Sequence, residues 1–386
     1  MRADERRRTH PLPLADQFAR GEDLVEAASS GVLASGYCKN VPTAIDLFAG
    51  AGGATAGLKT AHFDVIGAVE WDKDASDSFR ANHPEVALKT ADIVTLCPEV
   101  VMAEWQLRRG ELSLLKGCPP CQGFSTLGTS DPGDRRNDLL LEVWRWINCF
   151  LPKAFLIENV PGIARDRRLV ELVGLAREAG YSVAGYNIDA SKFGVPQRRR
   201  RHIVVGVLSG AELPPRLEGL LSSSLDAEPV TAGEALLAVQ VCRAEDPLNV
   251  SRSLQPKTLE RVKAIPIGGS RFDLPKNLEL ACHKRLAKAG SRAAAGPYGR
   301  VRLGAPAPTM TTRCTTVACG PFIHPTLDRG LTLREAAVLQ TFALDYVFKG
   351  SYGSIERQIG NAVPVRLAAA LGNAIRQLVL TANDQA

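Results

Sequence analysis

A glycine cluster set between an apolar run and a stretch of small residues constrains this chain more than any other feature. Residues 44–48 read AIDLF, residues 49–53 read AGAGG, and ATAGLKTA follows with helical spacing. A short apolar run closed by turn residues is a buried strand, and a glycine loop between strand and helix lets backbone N–H groups approach a ligand closely. The rhythm recurs. DVIGAV (64–69) ends at Glu70-Trp71-Asp72, and Leu112–Leu115 and AFLI (154–157) are further strand candidates, with helix-like stretches at 137–150 and 166–179. Strands alternating with helices predict an α/β fold with a parallel, doubly wound sheet, whose ligands sit at the carboxyl ends of the strands.

Past residue 208 the rhythm lapses into Pro- and Gly-punctuated sequence, and helical patterning returns after 330 (LTLREAAVLQTF, then VPVRLAAALGNAIRQLVL). The expected division is a mobile tail over 1–40, a ligand-binding domain over 41–208 plus 360–386, and a smaller domain over 209–359. Net charge is +6, but residues 251–302 hold twelve Lys/Arg against three Asp/Glu, and the other 334 residues carry −3. A basic segment on a slightly acidic body points to a polyanion, nucleic acid first, with a merely solvated surface as the alternative. No apolar stretch approaches the ~18 residues of a membrane span, and Arg6–Arg8 are followed by no signal-like apolar segment. Nine cysteines, an odd and sparse set, do not read as a disulfide scaffold, and a reducing, cytoplasmic compartment is expected.

Four clusters can carry chemistry. Gly50, Gly52 and Gly53 follow Asp46; Thr55 stands where a dinucleotide fingerprint needs its third glycine, and Glu70 falls twenty residues beyond Gly50, where a carboxylate reaches ribose hydroxyls. A tight structural turn is the competing reading. Cys118-Pro-Pro-Cys121 places a thiol on a stiff loop, as suits a nucleophile, although a CxxC pair also reads as a redox dithiol or half a zinc site. Glu158 ends the strand AFLI, where desolvation is expected to raise its pKa for proton transfer; a helix cap or buried ion pair is the bland alternative. In Gln197-Arg-Arg-Arg-Arg201, an extended backbone puts Gln197, Arg199 and Arg201 on one face and Arg198 and Arg200 on the other.

Taken together the residues resemble the DNA (cytosine-5) methyltransferase family, prokaryotic type. DLFAGAGG (46–53), EWD (70–72), ADI (91–93), PPCQGFS (119–125), ENV (158–160), QRRRR (197–201) and QIGNAVP (358–364) occur in the family's order, with APAPTMTT (305–312) and LTLREAAVLQTF (331–342) between the last two. The resemblance implies a Rossmann-like S-adenosylmethionine-dependent methyltransferase sheet with a smaller target-recognition domain, and no metal. It implies that Phe48, Ala51, Gly53, Glu70, Trp71, Asp92, Ile93, Leu139 and Asn361 surround the cofactor. Glu70 would hold the ribose, Trp71 would stack on adenine, and Asp92 would accept from its amino group. Cys121 would be the nucleophile, Glu158 the acid and base partner, and Arg199 and Arg201 would orient the pyrimidine. Cys118 stands where the family usually has glycine, and Ala343 where proline is common.

Cytosine carbon 5 is a poor nucleophile until a thiolate adds at C6, and proton donation or hydrogen bonding at N3 eases that addition. None of these atoms is reachable inside a duplex, so the target base must be flipped. The partner so implied is duplex DNA, met through the basic 209–357 lobe, with a cognate restriction endonuclease as companion and a monomer as the working unit. A tRNA cytosine-5 methyltransferase of the same fold is the alternative, and a thiol-redox protein using Cys118 and Cys121 is the alternative from another class.

Overall fold

The computed structural model describes residues 41–120, 138–208, 213–215, 229–241, 245–281, 284 and 296–383. The expected tail over 1–40 lies outside them. The strands are β1 (Thr43–Leu47), β2 (Asp64–Glu70), β3 (Ala87–Thr90), β4 (Leu114–Gly117), β5 (Ala154–Asn159), β6 (Ser182–Asp189) and β7 (Arg200–Val207). Between and after them run α1 (Gly53–Thr60), α2 (Lys73–Asn82), α3 (Pro98–Glu104), α4 (Leu139–Phe150), α5 (Arg167–Glu178), α6 (Ala232–Val241), α7 (Pro256–Ala264), α8 (Leu333–Leu339), α9 (Tyr352–Asn361) and α10 (Val365–Asn383).

The strands form one sheet in the order β3-β2-β1-β4-β5-β7-β6. β3, β2, β1, β4 and β5 pair parallel, as the alternation predicts, but β7 runs antiparallel to both β5 and β6. The reason is connection length. Only residues 190–199, with one short turn of 3₁₀-helix at Ala190–Phe193, join β6 to β7. A parallel return needs a crossover of a dozen or more residues.

Alternate side chains divide between the two faces. Ala44, Leu114 and Leu156 join a cluster with Leu58, Phe63, Leu367 and Leu371, while Ile45, Leu115, Phe155 and Ile157 join Val143, Trp146 and Leu172 on the other side. The small residues after the glycine loop now have a physical use. A Cβ on Gly57 would stand 2.4 Å from the Val365 carbonyl and 2.5 Å from Ala368 Cβ, so α1 and α10 touch backbone to backbone there. A smaller cluster of Val262, Ile265, Leu274, Tyr298, Val317 and Ile323 forms the core of the basic region. The chain from Leu331 to α9 has a cluster of its own, in which Leu333, Phe342, Tyr346 and Ile359 pack with Ala51 of the glycine loop and Leu236 of α6, whereas α10 packs on the sheet through Leu367 and Leu371.

One charged pair sits inside the sheet. Lys116 Nζ on β4 lies 2.8 Å from Asp46 Oδ1 on β1, with both side chains almost wholly buried, and Thr55 of α1 donates to Asp46 Oδ2 at 2.8 Å. Removing one partner of such a pair strands a buried charge, at a cost of about 3–5 kcal/mol, whereas replacing both with apolar residues costs far less. Lys116→Met should therefore lower stability by about that amount in urea denaturation, and adding Asp46→Leu should recover much of it. A Lys116→Met protein as stable as the wild type would remove the pair from the account of the fold.

Candidate active site

The carboxyl ends of β1 and β2 build the first half of the site. Phe48, Gly50 and Gly52 all take positive φ (57°, 57° and 94°), which folds the chain back sharply after β1. Such a conformation is strained at Phe48 and natural to glycine. The glycines differ in their surroundings. A Cβ on Gly52 would strike the His83 ring at 2.6 Å and one on Gly53 the Val363 carbonyl at 2.9 Å, but at Gly50 nothing lies within 4 Å. The loop is thus clamped behind and open in front.

Glu70, buried at the end of β2, closes the loop from the side. Its Oε2 accepts from the Gly50 N–H at 2.8 Å, and its Oε1 accepts from Trp71 and Asp72 N–H at 3.0 and 2.8 Å. Burial pushes its carboxyl above the usual range, only partly offset by those backbone donors. A carboxylate offers about four acceptor positions. Three are taken, so one acceptor position remains on a side chain that also holds the loop. Beside it the Trp71 ring is 75% exposed, an unusual state for tryptophan at a strand end. Asp92 caps the short turn Ile93–Thr95 through Val94 N–H at 3.1 Å, Ile93 is buried beneath, and Leu139 opens α4 half-buried. Asn361 is exposed at the end of α9, and Ala51 is buried in the loop.

Two residues with no signal in the sequence pattern brace the loop from behind. Tyr346 donates to the Ala51 carbonyl at 2.6 Å, and His83 Nε2 lies 3.2 Å from the Gly52 carbonyl and 3.1 Å from the tyrosine oxygen. Burial, reinforced by Lys59, lowers the His83 pKa to about 4, so its ring is neutral and carries its proton on Nε2.

The second half gathers at the ends of β4, β5 and β7. Glu158 is 3% exposed; Arg201 Nε lies 2.7 Å from its Oε1, and the Cys118 thiol donates to its Oε2 at 2.8 Å. The Arg201 contact is an ion pair without hydrogen-bond alignment, so Oε1 is a buried acceptor with no hydrogen bond. The expected upward pKa shift is corrected here. Burial does push the carboxyl up, but Arg201, then Arg199, the Cys118 hydrogen bond and Lys116 outweigh it, and Glu158 titrates below its ordinary value. The neighbouring Asn159 donates to the Pro119 carbonyl at 3.1 Å, fixing the entry to the PPC loop. Cys121 itself lies outside the described residues.

The alternation of the arginine run holds: Gln197 and Arg199 are buried, Arg201 faces Glu158, and Arg198 and Arg200 are exposed. Yet the two inward arginines do different things. Arg199 donates to the Met310 carbonyl at 2.9 Å and the Gly360 carbonyl at 3.3 Å, binding the later chain, while its charge also reaches Glu158. Gln197 does likewise, donating to Leu339 O and Gln340 Oε1 and accepting from Met310 N–H. Ala343, at the position where proline is common, still makes its turn, its carbonyl accepting from Tyr346 N–H at 3.1 Å.

A loop open at Gly50, an exposed Trp71 and a carboxylate cluster at the next strand ends, in this strand order, can be set beside known proteins. The sequence profile described as C-5 cytosine-specific DNA methylase matches residues 43–377. The chain belongs to that family. It is 34% identical to the Type II methyltransferase M.PspPI of Psychrobacter sp. (strain TA137), over 87% of this chain and 79% of the relative. It is 31% identical to the Type II methyltransferase M.DdeI of Desulfomicrobium norvegicum, over 86% and 88%. The crystal structure of the S. pombe Dnmt2 methyltransferase superposes with a TM-score of 0.63 at 18% identity, over 89% of this chain and 99% of that one. The structure of the Entamoeba histolytica methyltransferase EhMeth gives 0.58 at 14%, over 88% and 99%. At those identities the structural likeness speaks to the fold, which is the Rossmann-like methyltransferase fold. This DNA cytosine-5 methyltransferase is accordingly an enzyme of a family whose methyl donor is S-adenosylmethionine, and a tRNA substrate is not favoured.

Two outcomes follow for the site. Glu70→Ala should weaken S-adenosylmethionine binding by about 1.5–3 kcal/mol in calorimetric titration, the range for hydrogen bonds to a charged group, because it removes an acceptor and releases Gly50. Unchanged affinity would take Glu70 out of the site. Because the folded pKa of Glu158 is depressed, its ionisation stabilises the fold fully above the unfolded value of 4.5, and the stabilisation is lost as pH falls through the lower folded value. Arg201→Ala should raise that folded pKa and flatten the acid side of the stability–pH curve. An identical curve would show that Arg201 does not hold the carboxylate.

Proposed function

We propose that this methyltransferase transfers the methyl group of S-adenosylmethionine to carbon 5 of cytosine in duplex DNA at a specific sequence. Cys121 acts as nucleophile on a flipped base, and no metal takes part. The observation that carries the reading is the Glu158 cluster, a buried carboxylate held between Arg201 and the Cys118 thiol, with Pro119 anchored on the next residue, at three strand ends.

The residues around the glycine loop fit the cofactor. The space in front of Gly50, the last acceptor position of Glu70 and the uncovered Trp71 ring suit an adenosine, with Phe48, Ala51, Gly53, Asp92, Ile93, Leu139 and Asn361 as the remaining wall. When bound, S-adenosylmethionine supplies an electrophilic methyl sulfonium. The protein's own work is to make C5 a nucleophile. The Cys121 thiolate adds to C6, and C5 takes the methyl group as the methyl–sulfur bond breaks and leaves its electron pair on sulfur. A solvent-derived base removes the C5 proton, and the electrons of that C–H bond re-form the C5–C6 double bond as Cys121 departs with the electron pair of its bond to C6. Glu158 enters this cycle ionised, so it takes up a proton from solvent before passing it to N3 and recovers it when the ring is restored, while Arg201 offers charge to the base carbonyl.

The basic region would meet the duplex, with its own core at Val262–Ile323 and the expected 209–359 domain as its outline. Relatives named Type II methyltransferases support a place beside a cognate restriction endonuclease, in the cytoplasm. The protein would act as a monomer. Among the described residues no helix is long and apolar enough to cross a membrane, and Cys97, Cys149, Cys314 and Cys319 are free thiols. The thiol-redox alternative fares worse, because Cys118 hydrogen-bonds a carboxylate.

The test uses both cysteines. With a duplex carrying 5-fluorocytosine at the target, the wild type and Cys118→Gly should form a covalent adduct, because fluorine replaces the proton whose loss frees the thiol. Cys121→Ser should bind cofactor and DNA yet form none, a hydroxyl having too little anionic character at neutral pH. An adduct with Cys121→Ser, or none with Cys118→Gly, would overturn the assignment of Cys121 as sole nucleophile.

A further inference from the structure

A cavity of about 420 Å³ opens between the segment 310–316 and α9, lined by Arg252, Thr312, Arg313, Gly353, Glu356 and Arg357. Three arginines around one space need an anion. The one carboxylate among the lining residues does not supply it. Glu356 is 1% exposed; its Oε1 accepts from Thr315 N–H and Oγ1 at 2.8 and 2.6 Å and from Thr316 Oγ1 at 3.2 Å, and its Oε2 takes Arg252 at 3.0 Å. Arg252 is further fixed by stacking over the Tyr352 ring, 4.4 Å from its centroid. Arg313 and Arg357 form no ion pair among the described residues. Arg313 bonds only Thr316 Oγ1, at 3.5 Å, through its side chain, and Arg357 the Gly353 carbonyl at 3.3 Å. Glu356 therefore cancels Arg252, and two positive charges and the Thr312 hydroxyl remain around open space.

We propose that this cavity binds a backbone phosphate of the DNA strand that carries the target cytosine. The inference rests on reading duplex DNA as the substrate. Its place in the fold supports it. Arg199, just before β7, bonds Met310 and Gly360, two residues before Thr312 and three after Arg357 of the cavity lining, and Arg201 meets Glu158 two residues on. A phosphate seated here is positioned relative to the base pocket by the same strand. The charges also match: a phosphodiester carries one negative charge and accepts from two guanidinium groups and a hydroxyl at once. Such binding carries no base information, so it sets affinity and register rather than sequence choice.

The competing occupant is the cofactor's carboxylate, since α9 also carries Asn361. Arg313→Gln, Arg357→Gln and the double variant, all at exposed positions, distinguish the two. Duplex binding would be followed by fluorescence anisotropy from about 50 to 200 mM salt. Each phosphate that a variant ceases to neutralise should reduce the slope of log affinity against log salt by about 0.9, and the double variant should weaken binding to cognate and unrelated duplexes alike. Calorimetric affinity for S-adenosylmethionine should stay at the wild-type value. A steep wild-type slope that the double variant leaves unchanged overturns the site alone. A loss of cofactor affinity overturns it in favour of the carboxylate. A wild-type slope near zero overturns the DNA reading together with it.

Discussion

The buried pair between Asp46 and Lys116 joins the two strands on whose ends the chemistry depends. β1 runs into the glycine loop and β4 into the PPC loop, and they lie side by side in parallel register, with Asp46 opposite Lys116. Two charges withdrawn from water are tolerable only because both carboxylate oxygens are satisfied, one by the ammonium and one by Thr55 at the start of the first helix. The pair thus fixes three elements at one point. The glycine loop and the chain that follows Gly117 leave the sheet from there on a common, rigid base.

Around Glu158 the electrostatics run against what burial alone would do. A carboxyl withdrawn from water ordinarily keeps its proton, and in isolation Glu158 would do so. Arg201 on β7 and Arg199 just before it approach from the strand that runs antiparallel beside β5, a direction set by a link from β6 too short for a parallel crossover. The antiparallel strand is therefore a chemical feature as well as a topological one: it brings an arginine back to the carboxyl end of β5. Cys118 adds a hydrogen bond from the opposite side.

A second set of interactions makes the site a product of distant chain. Gln197, Arg199 and Gln340 spend their side chains on backbone carbonyls at Leu339, Met310, Ile359 and Gly360, and Tyr346 reaches the Ala51 carbonyl in the cofactor loop. These buried amide and guanidinium groups have their hydrogen bonds only when the segment after residue 300 is docked. α8 and α9 accordingly share a core with Ala51 of the glycine loop and with Leu236 and Val301, so the glycine loop and the chain after residue 300 are one packed unit.

Much of this was legible in the chain because it is local. Apolar runs of four or five residues ending in glycine or a polar cluster marked β1, β2, β4 and β5; the period of two in the arginine run set which side chains point inward; and the motif order identified the family and with it the cofactor. Sequence spacing carries such information because a strand's side-chain alternation and a loop's φ angles are properties of neighbouring residues. The sign of the Glu158 shift, the capture of the Gly50 N–H by Glu70, the bracing by His83 and Tyr346, and the docking of Arg199 on Met310 and Gly360 were decided elsewhere. Each depends on groups tens to hundreds of residues apart whose distance exists only after the sheet is assembled. Hydrogen bonds and charges act over a few ångströms, and only tertiary packing decides which of the chain's many polar groups come that close.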